Sequence, residues 1–378
     1  MTSLSATSSL PPCPEVARAL AEHREPGVPE LCEGLREILD ASGSGAPLVE
    51  VERIKRGVYR ILTGRGNGRR ALVVKRHRPA LAQADRLVLE RWLPALGMEA
   101  RSPRLLGAAA EREGRFVWHV YEDFGRDTLA VHPEAPHVEA AMDLLAELHT
   151  RAAGHAILPE VRWHGRDHGL PFLTSSLRDA IALLTELASP DAVGRGSGEL
   201  AAACTRLLER LHRLNEEVPR WARLIEEAAG ADTLLHGDLG PKNVFVPRAG
   251  EGVPARLIDW DHVGVGPGSF DVSTFLYRFP RERRPEILRS YRAAMGRRGR
   301  HLPEDGELNL LFYFAESARC AHCVGWPAIA LLREGAPWGR VELVEVDRWF
   351  QSLAPPLPEE HSGPRRRTRA PEGRMHGC

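Results

Sequence analysis

The amino-acid sequence predicts an α+β protein of two lobes, in which a small antiparallel β-sheet with one helix precedes a larger, mostly helical lobe. Two observations carry this prediction. Between residues 48 and 121, apolar positions alternate with polar ones or run in β-branched residues, as they do in strands. Beyond residue 125, apolar residues recur with helical spacing over long stretches.

The β-rich region contains predicted strands at 50–54, 58–64, 69–76, 104–109 and 114–121. The glycine-rich residues 64–68 supply a hairpin turn between the second and third of these strands. The spacing of apolar residues at 80–97 predicts a helix after the third strand, with Gly97 as its end. We therefore expect a five-stranded antiparallel sheet with one inserted helix.

The chain divides into four predicted segments. Residues 1–44 form an N-terminal extension with short helices at 14–24 and 28–41. Residues 45–124 form the N-terminal lobe. Residues 125–354 form the helical lobe, with candidate helices near 135–153, 172–188, 197–228, 269–279, 282–297, 305–333 and 338–352. The tail at 355–378 is rich in Pro, Arg and Gly and is predicted to be disordered.

The composition excludes several classes of protein. Lys and Arg total 51 and Asp and Glu total 51, so the formal charge is zero, which argues against a dedicated nucleic-acid binder. The sequence has no apolar window of about 18 residues to span a membrane and no secretory signal at its start. The six cysteines are scattered and imply no disulfide framework, so a reducing cytoplasm is the expected compartment.

One stretch of the helical lobe has the residues that phosphoryl transfer requires. That chemistry needs oxygen ligands for Mg²⁺, and an Asn amide and a carboxylate both suit this hard cation. It also needs a second carboxylate to accept the proton of the attacking hydroxyl. Asp238, Asn243 and Asp259 provide these three groups.

The spacing of these residues also favours a common site. Asp238 and Asn243 lie on one predicted loop that leads into a strand. A hairpin with its turn at 248–252 then returns the chain and delivers Asp259 beside that loop. A polar loop that merely caps two strands rarely combines three such residue types at this spacing. We expect His236, at the start of the loop, to brace it through hydrogen bonds.

The motifs HGDLGPKNV (236–244) and LIDWD (257–261) resemble those of the aminoglycoside phosphotransferase and choline kinase family, whose members are related to protein kinases. The resemblance covers roughly residues 45–330. It implies a two-lobed, protein-kinase-like fold that binds a nucleoside triphosphate, ATP or alternatively GTP, in the cleft between the lobes. It further implies Asp238 as the catalytic base and Asn243 and Asp259 as ligands of Mg²⁺. The acceptor would be a hydroxyl of a small molecule.

The resemblance extends to the predicted N-terminal lobe. It implies that Lys75 binds the α- and β-phosphates and is paired with Glu90 on the following helix. The loop that covers the nucleotide would lie at 54–59 and contains one glycine, Gly57. Glu122 belongs to the predicted connection between the lobes, where backbone groups would pair with adenine.

The resemblance also implies a support for the catalytic loop and leaves the acceptor open. Asp271 would be the supporting carboxylate. By frequency in the family, the acceptor would be an aminoglycoside or another amino-bearing metabolite. Acidic residues in the helices after 280 are candidates to meet such a cation: Asp305, Glu307 and Glu316.

Two other classes of function remain as alternatives. A pseudokinase would bind nucleotide without turnover, but the complete set of catalytic and metal-binding residues disfavours it. A protein kinase is disfavoured by Gly240, where protein Ser/Thr kinases usually have Lys, and by the absence of D-F-G and A-P-E motifs.

Two further motifs favour structural interpretations. The segment HGRDH at 164–168 imitates a kinase catalytic motif, but Phe172 stands five residues after Asp167 where Asn is needed, so a loop is expected. Cys320, His322 and Cys323 suggest zinc, but they lie in an apolar helical run without a second pair of ligands. We therefore expect them to pack in a helix.

Overall fold

A computed structural model describes residues 13–41, 48–64, 70–189, 198–246 and 254–357. The predicted turn at 248–252, most of the turn at 64–68 and most of the tail at 355–378 lie outside these residues. No helix in the described part of the chain is long and apolar enough to cross a bilayer.

The N-terminal lobe is built on a five-stranded sheet, as predicted. Its strands are β1 (Leu48–Lys55), β2 (Val58–Thr63), β3 (Arg70–His77), β4 (Leu105–Ala110) and β5 (Val117–Glu122). They pair in the order β1-β2-β3-β5-β4, and every pairing is antiparallel. The predicted inserted helix follows β3 as α3 (Pro79–Leu87), a π-helical turn (Val88–Trp92) and α4 (Leu93–Ala95).

Two helices precede the sheet and cover one of its faces. They are α1 (Pro14–Glu22) and α2 (Val28–Ala41), in agreement with the sequence prediction. Their buried residues form one apolar core with residues of the strands, including Leu20, Leu35, Tyr59, Val74 and Trp118. Residues 14–41 of the N-terminal extension are therefore packed into the lobe, because the apolar faces of these two helices are buried against the sheet.

The second lobe is mostly helical. Its helices are α5 (Ala135–Ala152), α6 (Leu158–His164), α7 (Leu170–Ala188), α8 (Gly198–Glu216), α9 (Val218–Ala228), α10 (Ser269–Leu276), α11 (Arg284–Arg297), α12 (Asp305–Glu334) and α13 (Pro337–Ser352). The sequence prediction missed α6. It also joined α8 and α9 into one helix, whereas the structure separates them before Pro219, which occupies the first turn of α9.

Two small sheets within this lobe hold the loops that matter for function. One has the order β6-β10-β7, with β6 at Arg166–Asp167, β7 at Thr233–Leu235 and β10 at Gly264–Gly266. The other is the predicted hairpin, in which β8 (Val244–Phe245) pairs with β9 (Arg256–Leu257). The expectation of a loop at 164–168 was wrong, because Arg166 and Asp167 pair in parallel with β10.

A buried carboxylate ties the N-terminal extension to the hairpin between β1 and β2. Glu25, in the connection between α1 and α2, accepts hydrogen bonds from the Gly57 backbone N–H (3.1 Å) and the Tyr59 hydroxyl (3.0 Å). It also accepts one from the guanidinium of Arg76 on β3. A buried carboxylate is tolerated when charged and polar donors surround it in this way.

We expect Glu25→Ala to lower the free energy of unfolding by about 3 kcal/mol, because it leaves the half-buried Arg76 cation and a buried hydroxyl without their acceptor. Urea denaturation would measure the change. Glu22→Ala, on the exposed side of α1, is the matched control and should shift the free energy by less than about 0.5 kcal/mol. Equal effects of the two substitutions would contradict this account of Glu25.

Candidate active site

The loop after β7 is fixed by a fully buried carboxylate on α10. Asp271 accepts hydrogen bonds from the backbone N–H groups of His236 (2.7 Å) and Gly237 (2.9 Å). Burial opposes its charge, but the interactions with His149, His236 and the Gly237 N–H together outweigh that effect and hold the pKa of Asp271 below its ordinary value. Asp271, the residue predicted to support the catalytic loop, therefore contacts that loop directly.

His236 and Gly237 shape the beginning of this loop. The His236 ring donates from Nε2 to the carbonyl of Ile258 at 2.8 Å, which connects the loop to the end of β9, as expected of a bracing residue. Gly237 has φ +83°, and a Cβ there would lie 1.9 Å from the carbonyl oxygen of His262. Only glycine permits this close approach of two backbone segments.

The structure connects the three residues predicted to carry the chemistry. Asn243 donates from Nδ2 to the backbone carbonyl of Asp238 at 3.0 Å. The carbonyl of Asn243 in turn accepts a hydrogen bond from the N–H of Ile258 at 3.1 Å. Asp259 directly follows Ile258 in the chain, so this bond brings its backbone close to Asn243. Asp238 is partly exposed, and its Oδ1 lies 3.5 Å from Nη2 of Arg278.

Lys75 on β3 reaches across to the strand-end carboxylates. Its ammonium is paired with Asp259 and lies 2.8 Å from Oδ1 of Asp261. Burial disfavours the charge on Lys75, but the two carboxylates outweigh this effect and raise its pKa above the ordinary value. Asp259 has φ +69°, a conformation that is uncommon for a residue other than glycine and is often found at functional sites.

The structure does not bring Lys75 and Glu90 together. Glu90 lies on the π-helical turn, is nearly half exposed, and pairs with Arg86 at 2.6 Å. The buried face of the same helix presents Asp85, Val88 and Trp92 instead. The predicted ion pair of Lys75 with Glu90 is thus absent, because residue 90 lies on the opposite face of the helix from these residues.

The tight hairpin over the site differs from a glycine-rich phosphate loop. Gly57, with φ +71°, forms the turn, and its N–H and carbonyl are used by Glu25 and by the N–H of Arg76. Lys55, just before the turn, reaches Asp259 with its ammonium at 3.1 Å. Lys55 is a candidate phosphate-binding residue that the sequence prediction missed. Its positive charge within the loop expected to cover the nucleotide could have indicated it.

The connection between the lobes is held by charge pairs. Asp123 receives a bidentate contact from Arg60 on β2, at 2.8 and 3.1 Å. The Glu122 N–H donates to the carbonyl of Arg104, and its carboxylate lies 3.5 Å from the Arg104 guanidinium. The backbone N–H of Glu122 is therefore committed to the sheet, and Phe124 packs against Phe245 of the helical lobe.

The acidic residues expected to meet a cationic acceptor do not form a common surface. Glu316 is completely buried and bonds to Ser273 and Arg319, so a solute cannot reach it. Asp305 is paired with Arg292 at 2.7 Å. Glu307 borders a separate cavity on the side of His149. The proposed role of Glu316 was wrong, because the helix turns this residue into the core.

Cys320 is buried in the helical core, as expected for a packing residue. His322 and Cys323, on the same helix, are accessible to solvent. Among the described residues, the three do not form a group with metal-ligand geometry; the one group that does is His77, Asp85 and His119. In that group the Tyr121 hydroxyl already bonds to Asp85 at 2.6 Å and to His77 at 2.8 Å.

The site residues fit a magnesium ion. The Asn243 side chain uses its Nδ2 for the loop, and no described residue donates to its Oδ1, which is a hard oxygen ligand. The carboxylate of Asp259 is already in contact with the ammonium groups of Lys55 and Lys75. A carboxylate that collects cations and a free amide oxygen form the kind of donor set that Mg²⁺ prefers.

The fold and site define a protein-kinase-like phosphotransferase that acts on hydroxyl groups of small molecules. A model of the phosphotransferase enzyme family (APH) matches residues 51–307. This match spans more than half of the chain, so the chain belongs to that family. No curated protein matches the sequence significantly.

Solved structures of known kinases share this fold. Spectinomycin phosphotransferase APH(9)-Ia, in complex with ADP and spectinomycin, has a TM-score of 0.53 and 12% identity, covering 84% of this chain and 98% of that one. A thermostable mutant of aminoglycoside phosphotransferase APH(4)-Ia has a TM-score of 0.51 and 15% identity, with coverage of 84% and 99%. An ethanolamine kinase from Plasmodium vivax has a TM-score of 0.52 and 13% identity, with coverage of 80% and 81%.

The histidine that follows β6 makes the stability depend on pH. His168 is buried and donates from Nε2 to the carbonyl of His262 at 2.8 Å, and burial lowers its pKa to about 4. The unfolded chain, with a His pKa of about 6.5, binds this proton first as the pH falls. The stability contributed by neutral His168 is therefore complete above about pH 6.5 and decreases toward pH 4.

We expect the free energy of unfolding to lose about 2 kcal/mol from this group between pH 7 and pH 5. Urea unfolding at the two pH values would measure the loss. His168→Asn should reduce this pH dependence, whereas His301→Asn, at an exposed position, should leave it as in the wild type. An unchanged pH dependence in His168→Asn would refute the assignment.

Proposed function

We propose that this phosphotransferase moves the γ-phosphoryl group of ATP to a hydroxyl of a small molecule, with Asp238 as the base. The observation that supports this most directly is the catalytic loop itself. Asp271 fixes the backbone of the loop, and the loop presents the partly exposed Asp238 beside Asn243. A carboxylate held on a rigid loop is positioned to orient one attacking hydroxyl.

In the proposed reaction, the acceptor oxygen forms a bond to the γ-phosphorus, and the bond from that phosphorus to the oxygen bridging it to the β-phosphorus breaks. ADP leaves, and the hydroxyl proton passes to Asp238. Lys75 binds the α- and β-phosphates, and Lys55 adds a second cation on the same side. Mg²⁺ would be held by Asn243 and Asp259 and would supply charge neutralisation at the phosphates.

ATP is the proposed donor because the similar spectinomycin phosphotransferase contains ADP. The family, and the spectinomycin bound to that phosphotransferase, support a small-molecule acceptor. The acidic residues expected to meet an amino-bearing acceptor do not support that finer assignment, since Glu316 is buried and Asp305 is paired with Arg292.

Replacing Asp238 by Asn tests the assigned base. We expect kcat for phosphate transfer to fall by about 10² to 10³, because the amide cannot accept the proton, whereas binding of Mg-ADP stays within about twofold. Transfer of radiolabel from ATP and calorimetric titration with Mg-ADP would measure the two quantities. Asp40→Asn, an exposed carboxylate on α2, is the matched control.

Three results would count against the proposal. Asp238→Asn that retains wild-type kcat would remove the base. Wild-type protein that binds Mg-ADP but labels no hydroxyl compound would favour a nucleotide-binding pseudokinase. Labelling of a generic protein substrate instead would favour a protein kinase.

A further inference from the structure

A cleft of about 680 Å³ lies between α7 and α12, and we call it the α7–α12 cleft. Its lining includes Phe172 from α7, His322, Trp326 and Ile329 from α12, and Arg166 from β6. None of these residues belongs to the motifs that identify the catalytic centre. The lining of the cleft is therefore independent of those motifs and is a candidate to determine which ligand this lobe binds.

The cleft adjoins the catalytic centre. Arg166 on β6 pairs with Gly264 on β10, and β10 begins five residues after Asp259. His168, two residues after Arg166, lies against the loop that carries Asp238, because a Cβ placed on Gly237 would lie 2.9 Å from its Nε2. The His168 ring also packs against Phe172 of the cleft, with 5.2 Å between the ring centroids. A ligand in the cleft would therefore lie near the loop that carries the proposed base.

The walls of the cleft are apolar and aromatic. Trp326 is 58% exposed and Ile329 is 38% exposed, and the two lie three residues apart on one face of α12, so they form a contiguous apolar patch of the kind that marks ligand sites. The Phe172 and His322 rings pack at 5.1 Å between centroids. Arg78, from the N-terminal lobe, places its guanidinium carbon 5.9 Å from the centroid of the Trp326 ring. A flat apolar body fits between such surfaces.

The charged groups of the cleft are arranged for an anion. Arg166 donates to Nε2 of His322 at 3.3 Å, and no carboxylate of a described residue lies within ion-pair distance of it. Partial burial of the His322 ring and the adjacent Arg166 charge lower the pKa of His322 to about 4, so this residue is neutral near pH 7. Arg166 therefore has no ion-pair partner among the described residues.

The carboxylates that border the cleft are already engaged. Asp167 accepts from Arg162 at 2.9 Å and from the N–H of Gly169 at 2.9 Å. Asp179 is paired with Arg178 at 3.0 Å. A polycationic ligand would meet the positive Arg166 without a free carboxylate to offset it, so the cleft disfavours such a ligand.

Resting on the proposed phosphotransferase function, we propose that the α7–α12 cleft binds the acceptor, and that the acceptor is an anionic hydroxyl compound with an aromatic or flat apolar body. Its anionic group, such as a carboxylate, pairs with Arg166, and its apolar body lies on Trp326. This arrangement orients one hydroxyl toward Asp238. The acceptor class therefore differs from the polyamines of aminoglycoside chemistry.

The first experiment identifies the charge class of the acceptor. A cell extract is separated into fractions retained by an anion exchanger and by a cation exchanger, and each fraction is incubated with the full-length protein, Mg²⁺ and γ-labelled ATP. We expect labelled product from the anionic fraction. Product from the cationic fraction alone would overturn the proposal and leave the phosphotransferase intact. No labelled product from any fraction, from protein that binds Mg-ADP, would contradict the phosphotransferase itself.

The second experiment tests the two contacts with the labelled acceptor. We expect Trp326→Ala and Arg166→Gln each to raise KM for the acceptor at least tenfold, while KM for ATP changes less than twofold. Trp163→Ala, at a tryptophan that is 84% exposed outside the cleft, and Arg340→Gln, on the exposed side of α13, are the matched controls. An unchanged acceptor KM in both cleft variants would overturn the assignment, and unfolding curves would verify that all four variants fold.

Discussion

The contact on which the site depends is the ammonium of Lys75 between the carboxylates of Asp259 and Asp261. It joins the sheet of the first lobe to the end of a hairpin in the second. All three groups are largely removed from water, so each charge depends on its ion-pair partners. Removal of Lys75 would leave Asp259 with Lys55 as its ammonium partner and would leave Asp261 without one, so this contact couples the two lobes electrostatically.

Much of the site could be predicted from the sequence because its geometry is local. Asp238 and Asn243 are five residues apart on one loop, and a short hairpin returns the chain to Asp259. Such spacings leave the backbone few alternatives. The sheet of the first lobe was predictable for a similar reason, since three of its four consecutive strand pairs are antiparallel neighbours and the apolar alternation of the strands identifies them.

The errors arose where side-chain direction or distant contacts decide. Glu90 has the residue type expected of a partner for Lys75, but its helix turns Asp85, Val88 and Trp92 inward, and residue 90 lies on the opposite side. The phase of these apolar residues was a readable signal. Glu316 was misjudged for the converse reason, because an acidic residue buried by Ser273 and Arg319 looks like a surface residue in the sequence. The role of Arg166 depends on a two-residue strand too short to predict.

The contact of Glu25 with the hairpin at Gly57 has a consequence for defining the domain. The family match begins at residue 51, yet the apolar core of the first lobe begins with Cys13 and Val16. A recombinant fragment that begins at residue 51 would expose the apolar face of the sheet that α1 and α2 cover, and it would leave the Arg76 guanidinium without Glu25. For this chain, the segment that the family match recognises is therefore shorter than the segment that must be expressed to obtain a folded first lobe.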